Sequence, residues 1–339
     1  MIVPRSRAFT IGGRMDAQEA EVTAFDTDGV ARLVAALREA GAEAVAICLL
    51  DAYANSAHEL KLRETLAVEM SELVISLSHE VSPEAREFDR LCTTIANAYI
   101  QPLMERYLVD FAGLCAADGL TCPILMMTAG DGMTTVETAA RLPIRLVESG
   151  PAGDAILAAR IVQDTGETEV LSFDMGGTTA KLCLIDAYRP QMVRKLEMSR
   201  VARFIKGSGR PVCIPVIEMI EIGVGSGSIT SVDSLGRVQV GPHSAGANPG
   251  PAAFGKGGAD PTVTDADVAQ GLIDPARFAE GRLQIDRAAT ETALDRGVGR
   301  TLTVTPVQAA VGVGEIVDES MASAGRMHAV ERARTCPRR

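Results

Sequence analysis

The chain has no tryptophan, and aromatic residues make up only 4% of it. Its cores must therefore rest on Leu, Ile, Val, Ala and Met. Positive charge is also in short supply: 33 Lys and Arg stand against 44 Asp and Glu, a formal charge of -11. That balance opposes binding to nucleic acid or an anionic membrane by bulk electrostatics, and no basic stripe offsets it. Long apolar runs are missing too. Ala44 to Leu50 is among the longest, far below the roughly 18 residues that span a bilayer. No signal-peptide pattern opens the sequence, so the expected address is the cytoplasm.

Metal and nucleophile signatures are equally sparse. The four histidines (His58, His79, His243, His328) fall in no paired or His-Glu-x-x-His pattern, and no Cys-x-x-Cys occurs. A zinc site assembled from local sequence is therefore not expected, while ligands drawn from distant positions stay open. The seven cysteines are odd in number and widely spaced, with Cys48 and Cys183 inside apolar runs; they read as reduced core residues. There is no Gly-x-Ser-x-Gly, which argues against an α/β-hydrolase nucleophile. Gly250 to Gly257 has the glycine and lysine spacing of a P-loop, but Gly257 stands where the Mg²⁺-ligating Ser or Thr belongs and no helix pattern begins there.

What the chain does have is length, glycine and a rhythm of alternating elements. With 339 residues, 47% of them hydrophobic, and 32 glycines, it suits an α/β protein of two domains. Helix is expected over 28–40, 56–70 and 150–162, strand over 44–50, 73–77 and 123–127. Pro83 opens a longer helix with apolar positions Phe88, Leu91, Ile95 and Ala98; Pro102 interrupts it and a further helix runs from Leu103 to Ala117. The final helix, 306–332, is expected to bury Val307, Ala310, Val311, Val313, Ile316 and Val317. A polar stretch at 163–168 suggests a boundary between domains 1–165 and 166–339.

The stretch that carries chemistry is Ser172-Phe173-Asp174-Met175-Gly176-Gly177-Thr178-Thr179-Ala180-Lys181. Val170–Phe173 and Leu182–Ile185 read as two buried strands, and so short a connection favours an antiparallel hairpin, spanning 172–186 in all. Paired glycines let backbone N–H groups approach an anion, threonine hydroxyls add donors, and Asp174 is placed to hold a hydrated metal ion. The ten residues alone leave both a phosphate grip and a plain hairpin open. Downstream, Gly223, Gly225 and Gly227 expose N–H groups ahead of Ser228, and here a nucleotide-cradling turn and a structural turn both stand. Asp265 precedes a helix over 266–273, where a capping role is favoured over a catalytic one.

These segments together resemble the hydantoinase/5-oxoprolinase A-subunit family, a branch of the actin, sugar kinase and Hsp70 ATPase superfamily. The likeness is carried by the decapeptide and by Val147-Glu148-Ser149-Gly150-Pro151-Ala152-Gly153. It extends through Ile220 to Ile229, Val240 to Ala252 and Asp260 to Ala266. It is looser from Val3-Pro4 through Glu87-Phe88-Asp89-Arg90 to Asn97-Ala98-Tyr99. The resemblance implies a two-lobed, actin-like (ribonuclease H-like) α/β ATPase with the helix over 150–162 crossing between lobes.

For the site, the resemblance implies ATP and Mg²⁺ (or Mn²⁺) as cofactors, with Asp174 as metal ligand and catalytic residue. Gly176, Gly177, Thr178 and Thr179 would meet phosphate oxygens, with Lys181, Ser149, Gly150, Gly223, Gly225, Gly227 and Ser228 also at the nucleotide. Relatives usually read Gly-Ala-Gly-Gly-Gly-Ser-Ile where this chain has Val224 and Ser226, and often have Cys in place of Ala253. The implied activity is phosphorylation of the carbonyl of a hydantoin, 5-oxoproline or other lactam, completed by a B-type partner subunit. Acetone or acetophenone carboxylase subunits acting on a ketone, and a non-catalytic remnant, are the alternatives. The family's earlier Asp-x-Gly-Gly-Thr-Phe-Thr-Asp loop and later Gly-Gly-Ala-Gly-Pro loop are absent from these residues. Both lobes are therefore expected to be incomplete, the second truncated at its C-terminus, and the isolated chain to turn over little or no ATP.

Overall fold

In the computed structural model, residues 3–198 and 207–335 are described. They form two compact units, one of 1–156 with 192–217, the other of 157–191 with 218–339.

The first unit opens on a β-α-β arrangement. Strands Ala44–Ile47 and Val74–Leu77 pair in parallel, and a crossover of this kind needs a helix to carry the chain back. Helix Ala57–Glu69 does so, and Gly29–Glu39 precedes it. Val30, Val34 and Leu37 recur at helical spacing and pack with Leu62, Leu66 and Leu77 as one core. These elements match the expected spans to within a few residues.

The helix after Pro83 differs from expectation. It begins at Glu87, after Arg86 turns with φ 78°, and runs unbroken to Ala117 with Pro102 inside it. Proline forfeits one main-chain bond there without ending the helix. The buried face also differs in part: Ala98 is buried as expected, but Phe88 and Leu91 are exposed, and the side turned inward also carries Arg90, Thr93, Thr94, Asn97 and Gln101. Those polar groups are matched individually. Asn97 accepts from the Ile144 N–H (3.2 Å) and donates to the Arg141 carbonyl (3.1 Å), Ser76 Oγ donates to Gln101 Oε1 (2.7 Å), and the Cys213 N–H donates to Thr93 Oγ1 (2.9 Å).

The second unit is built on a four-stranded sheet. Ile220–Ile222, Ala180–Asp186 and Glu169–Met175 lie side by side in that order, all antiparallel, and Arg189–Pro190 extends it. A second hairpin pairs Ser228–Val232 with Val238–Ser244. Ala180, Leu182 and Ile222 on one sheet face pack against Val263, Ala266 and Ala269 of helix Val263–Gln270 and Ala310, Val313 and Val317 of the last helix. The last helix, Pro306–Thr335, leaves Val307 and Val311 exposed. Its covered face is the one turned to helix Val263–Gln270 and the sheet, so those two expected core positions are corrected.

Thr262 caps that helix, accepting from the Asp265 N–H, while Asp265 reaches back to Thr262 in a capping box. Asp265 is fully buried and also accepts from the N–H groups of Ala252 and Ala253 (3.3 and 2.7 Å). Asp265 thus serves the cap, but from within the first turn: the helix begins at Val263 and ends at Gln270, three residues ahead of the expected 266–273, and Thr262 holds the N-cap position. Asp265 also removes the P-loop spacing from consideration, because the amides at the heart of that loop are already bound to a carboxylate.

Candidate functional site

The hairpin register puts Asp174 directly opposite Lys181, and Lys181 directly opposite Glu221 on the next strand. Residues opposed in this way share a sheet face, so a carboxylate, an ammonium and a second carboxylate form a row across three strands. Lys181 Nζ lies 4.0 Å from Glu221 Oε1, and the lysine side chain is only 13% exposed. Lys181 therefore points into the row and away from solvent, although it alternates with the core residue Ala180.

Gly176, Gly177, Thr178 and Thr179 form the bend. The Gly176 N–H closes it onto the Thr179 carbonyl at 2.9 Å. Among the described residues, the N–H groups of Gly177, Thr178 and Thr179 donate to no carbonyl, and Gly177 and Thr178 are exposed. Asp174 is half-buried and its carboxylate is committed to no hydrogen bond or ion pair among the described residues. Three successive uncommitted amides, two hydroxyls and a neighbouring carboxylate are the donor set that a phosphate chain with a hydrated divalent cation requires. Among the described residues no three His, Cys, Asp or Glu side chains gather into a ready-made metal centre. Mg²⁺ does not need one, since it is held by one or two carboxylates with substrate phosphates and water.

The glycine turn after Ile222 has a different task from the one its sequence suggested. Its amides are engaged: Gly225 donates to Ser228 Oγ (2.8 Å), Ser226 to the Gly176 carbonyl (3.0 Å), Gly227 to the Gly177 carbonyl (2.8 Å), and Ser228 to the Gly225 carbonyl (2.9 Å). A Cβ on Gly225 would lie 2.6 Å from the Thr178 carbonyl carbon and 2.7 Å from both Gly176 O and Thr178 N. One on Gly227 would lie 2.9 Å from Gly177 O and 2.8 Å from Ser244 Oγ. These two residues must be glycine so that one turn can seat beneath the other. The correction concerns Gly225, Gly227 and Ser228: they support the bend, and their N–H groups are not free for phosphate. Gly223 presents its carbonyl to Gly241, whose added Cβ would meet it at 2.6 Å.

This support continues inward. The Ser226 carbonyl accepts from both the N–H (2.7 Å) and the Oγ1 (2.9 Å) of Thr264, in the first turn of the capped helix. First-turn amides have no partner within their own helix, so the helix end fixes the glycine turn, and the glycine turn fixes the carbonyl side of the bend. The bend's amide side is thereby left outward. Sequence reasoning missed Thr264, Ser226 and Ser244, whose Oγ donates to Gly177 O at 3.3 Å. The alternating glycines were a signal of close approach, but approach by main chain as readily as by ligand.

Ser149 and Gly150 are placed in the other unit, in the first turn of helix Ser149–Thr165. Glu148 before them has φ 64°. A Cβ on Gly150 would meet nothing within 4 Å, so no close neighbour requires a glycine there. None of the six described cysteines forms a disulfide, and Cys336 lies outside the described residues. Burial pushes the thiols of Cys48, Cys92 and Cys213 up from their ordinary range, which keeps them protonated and poor nucleophiles at neutral pH. No helix among the described residues is long and apolar enough to cross a membrane.

A sequence model described as hydantoinase/oxoprolinase matches residues 90–335, and one for the hydantoinase/oxoprolinase N-terminal region matches residues 1–70. The alpha subunit of caprolactamase from Pseudomonas jessenii is 31% identical over 332 residues, covering 98% of this chain and 46% of that protein. The gamma subunit of acetophenone carboxylase from Aromatoleum aromaticum is 30% identical, covering 95% and 44% respectively. Among solved structures, nucleotide-free acetone carboxylase superposes with a TM-score of 0.79 over 95% of this chain and 46% of its own, at 24% identity. That likeness is one of fold, and it accords with a mixed α/β, actin-like architecture. The chain spans somewhat less than half the length of these relatives.

Proposed function

The chain belongs to the hydantoinase/oxoprolinase A family, and from that premise we propose that it supplies the phosphate-gripping hairpin of an ATP-dependent subunit that activates the carbonyl of a cyclic amide. A hydantoin, 5-oxoproline or other lactam resists water because amide resonance makes its carbonyl a poor electrophile. Bound ATP with Mg²⁺ (or Mn²⁺) supplies the phosphoryl group that turns that carbonyl oxygen into a leaving group. The chain's own residues position and neutralise. Gly177, Thr178 and Thr179 donate main-chain N–H groups to phosphate oxygens, with the two hydroxyls alongside. Asp174 holds the metal, and Lys181, opposite Asp174 in register and 4.0 Å from Glu221 Oε1, adds positive charge to the row behind it. A B-type subunit completes the hydrolysis.

The observation that supports this reading is the pairing of three uncommitted amides with an uncommitted carboxylate on a bend held rigidly from behind. The relatives include both a caprolactamase and ketone carboxylases, so carbonyl activation is the chemistry common to the readings, and a ketone is the second substrate class. The test is ADP release by this chain with a B-type subunit over a panel of lactams, imides and ketones. A lactam-dependent signal that Asp174→Asn abolishes is expected. Release that depends only on a ketone, or that survives Asp174→Asn, overturns the reading.

A further inference from the structure

The aromatic residues of this chain are few, yet two of its four tyrosines are turned outward along one helix. On Glu87–Ala117, Tyr99 is 79% exposed, Leu103 65%, Tyr107 58% and Leu114 68%. At about 100° per residue these four lie within an arc of roughly 80°, a single stripe about four turns long. Phe111 stacks on Tyr107 beside it, ring centroids 6.3 Å apart and 10° from parallel. The stripe presents roughly 600 Å² of side-chain surface, as large as the patches that mark interaction sites on monomers and near the ~800 Å² each partner gives to a standard interface.

We propose that this stripe is a two-fold interface with a second copy of the chain, the helices packing antiparallel about residue 108. Three features of the sequence along the stripe favour a copy over a different protein. An axis through 108 sets Arg106 of one chain opposite Asp110 of the other, twice over. It also sets Leu103 opposite Gly113 and Tyr99 opposite Ala117, so these two bulky residues each meet a small one, while Tyr107 meets the exposed Val109 and Leu114 meets Pro102. Gly113 is open in the single chain, where an added Cβ would meet nothing within 4 Å. Arg106, Asp110, Gly113 and Ala117 are all exposed. Self-complementarity of this kind is what an isologous interface demands, and helices 8–10 Å apart need small residues against large ones.

The test is sedimentation equilibrium of the chain by analytical ultracentrifugation, from micromolar upward. The wild type is expected to be a concentration-dependent dimer. Leu103→Asp and Gly113→Trp are each expected to weaken it at least about 100-fold, since both strike the centre of the patch. Far-ultraviolet circular dichroism and melting temperature check that both variants remain folded, as substitutions at open surface positions should. Arg106→Asp alone is expected to weaken association about tenfold, and Arg106→Asp with Asp110→Arg to restore it to within about threefold of wild type. A wild-type chain that stays monomeric throughout overturns the proposal. So does a dimer indifferent to Leu103→Asp, a charge swap that fails to rescue, or a stripe that is filled only by a different subunit.

Discussion

Replacing Gly225 by alanine tests the role assigned to the glycine turn. The added methyl group would sit 2.6–2.7 Å from three main-chain atoms of the hairpin bend, Thr178 C, Thr178 N and Gly176 O. No flexible side chain is there to yield, so the bend itself must move. Overpacking of this sort costs about 1–3 kcal/mol. Displacement also lengthens the Ser226 to Gly176 and Gly227 to Gly177 bonds, each contributing about 1 kcal/mol net. The expected loss is about 2–4 kcal/mol, or roughly 4–16 °C in the melting of a unit of this size. Gly177→Ala is the control: its Cβ meets nothing within 4 Å, so a loss below about 1 kcal/mol is expected. Urea unfolding of the three proteins decides the matter. Equal stabilities for Gly225→Ala and wild type would refute the claim that one turn is seated against the other.

Three further outcomes are expected. Arg90 is buried and donates to Ser78 Oγ and to the carbonyls of Glu84 and Leu49 (3.0, 3.0 and 2.8 Å), while Ser78 in turn donates to the buried Glu59 at 2.6 Å. Arg90→Met should therefore destabilise the first unit by about 3–5 kcal/mol in denaturant titrations, and a change under 1 kcal/mol would contradict that account. Burial first, and then the charge of Asp318, raise Asp267 from its ordinary 3.8 to about 6. The folded state then holds this proton more tightly than the unfolded one, so stability should fall as pH rises from about 4 to about 6 and level off above. Allowing for solvent screening at a partly exposed site, that amounts to about 1 kcal/mol, and Asp267→Asn should abolish that part of the slope in melts run across this range. Asp174→Asn should leave melting within about 0.5 kcal/mol of wild type, since the carboxylate is committed to nothing among the described residues; a large loss would make Asp174 a structural residue.

The β-α-β start of the chain and the hairpin were legible because local pattern decides them: helical spacing in Val30, Val34 and Leu37, and two apolar runs joined by a short glycine-rich link. The cap was legible only in part, since the sequence points to Asp265 whereas Thr262 is the N-cap and Asp265 completes the capping box from the first turn. The long helix was misread in two respects. Pro102 is tolerated because the loss of one bond does not outweigh a helix packed along its length, and the inward face is polar because Thr93, Asn97 and Gln101 each meet a partner distant in sequence. No periodicity within 192–217 announces its return to the first unit, where Leu196–Met198 pairs with Arg210–Val212. At the candidate site, the hairpin and its bend could be picked out from ten residues. Whether the later glycines served a ligand or the bend could not, because Gly-x-Gly records that something comes close and not what it is.

The central claim is that the uncommitted amides of the bend receive phosphate. The direct measurement is an amide-resolved NMR titration of this chain with MgATP at millimolar concentration, repeated with Asp174→Asn. The account predicts the largest shifts at Gly177, Thr178 and Thr179, much reduced in the variant. Nucleotide-induced shifts concentrated at Gly223 to Ser228 or elsewhere, with those three amides unmoved, would contradict it.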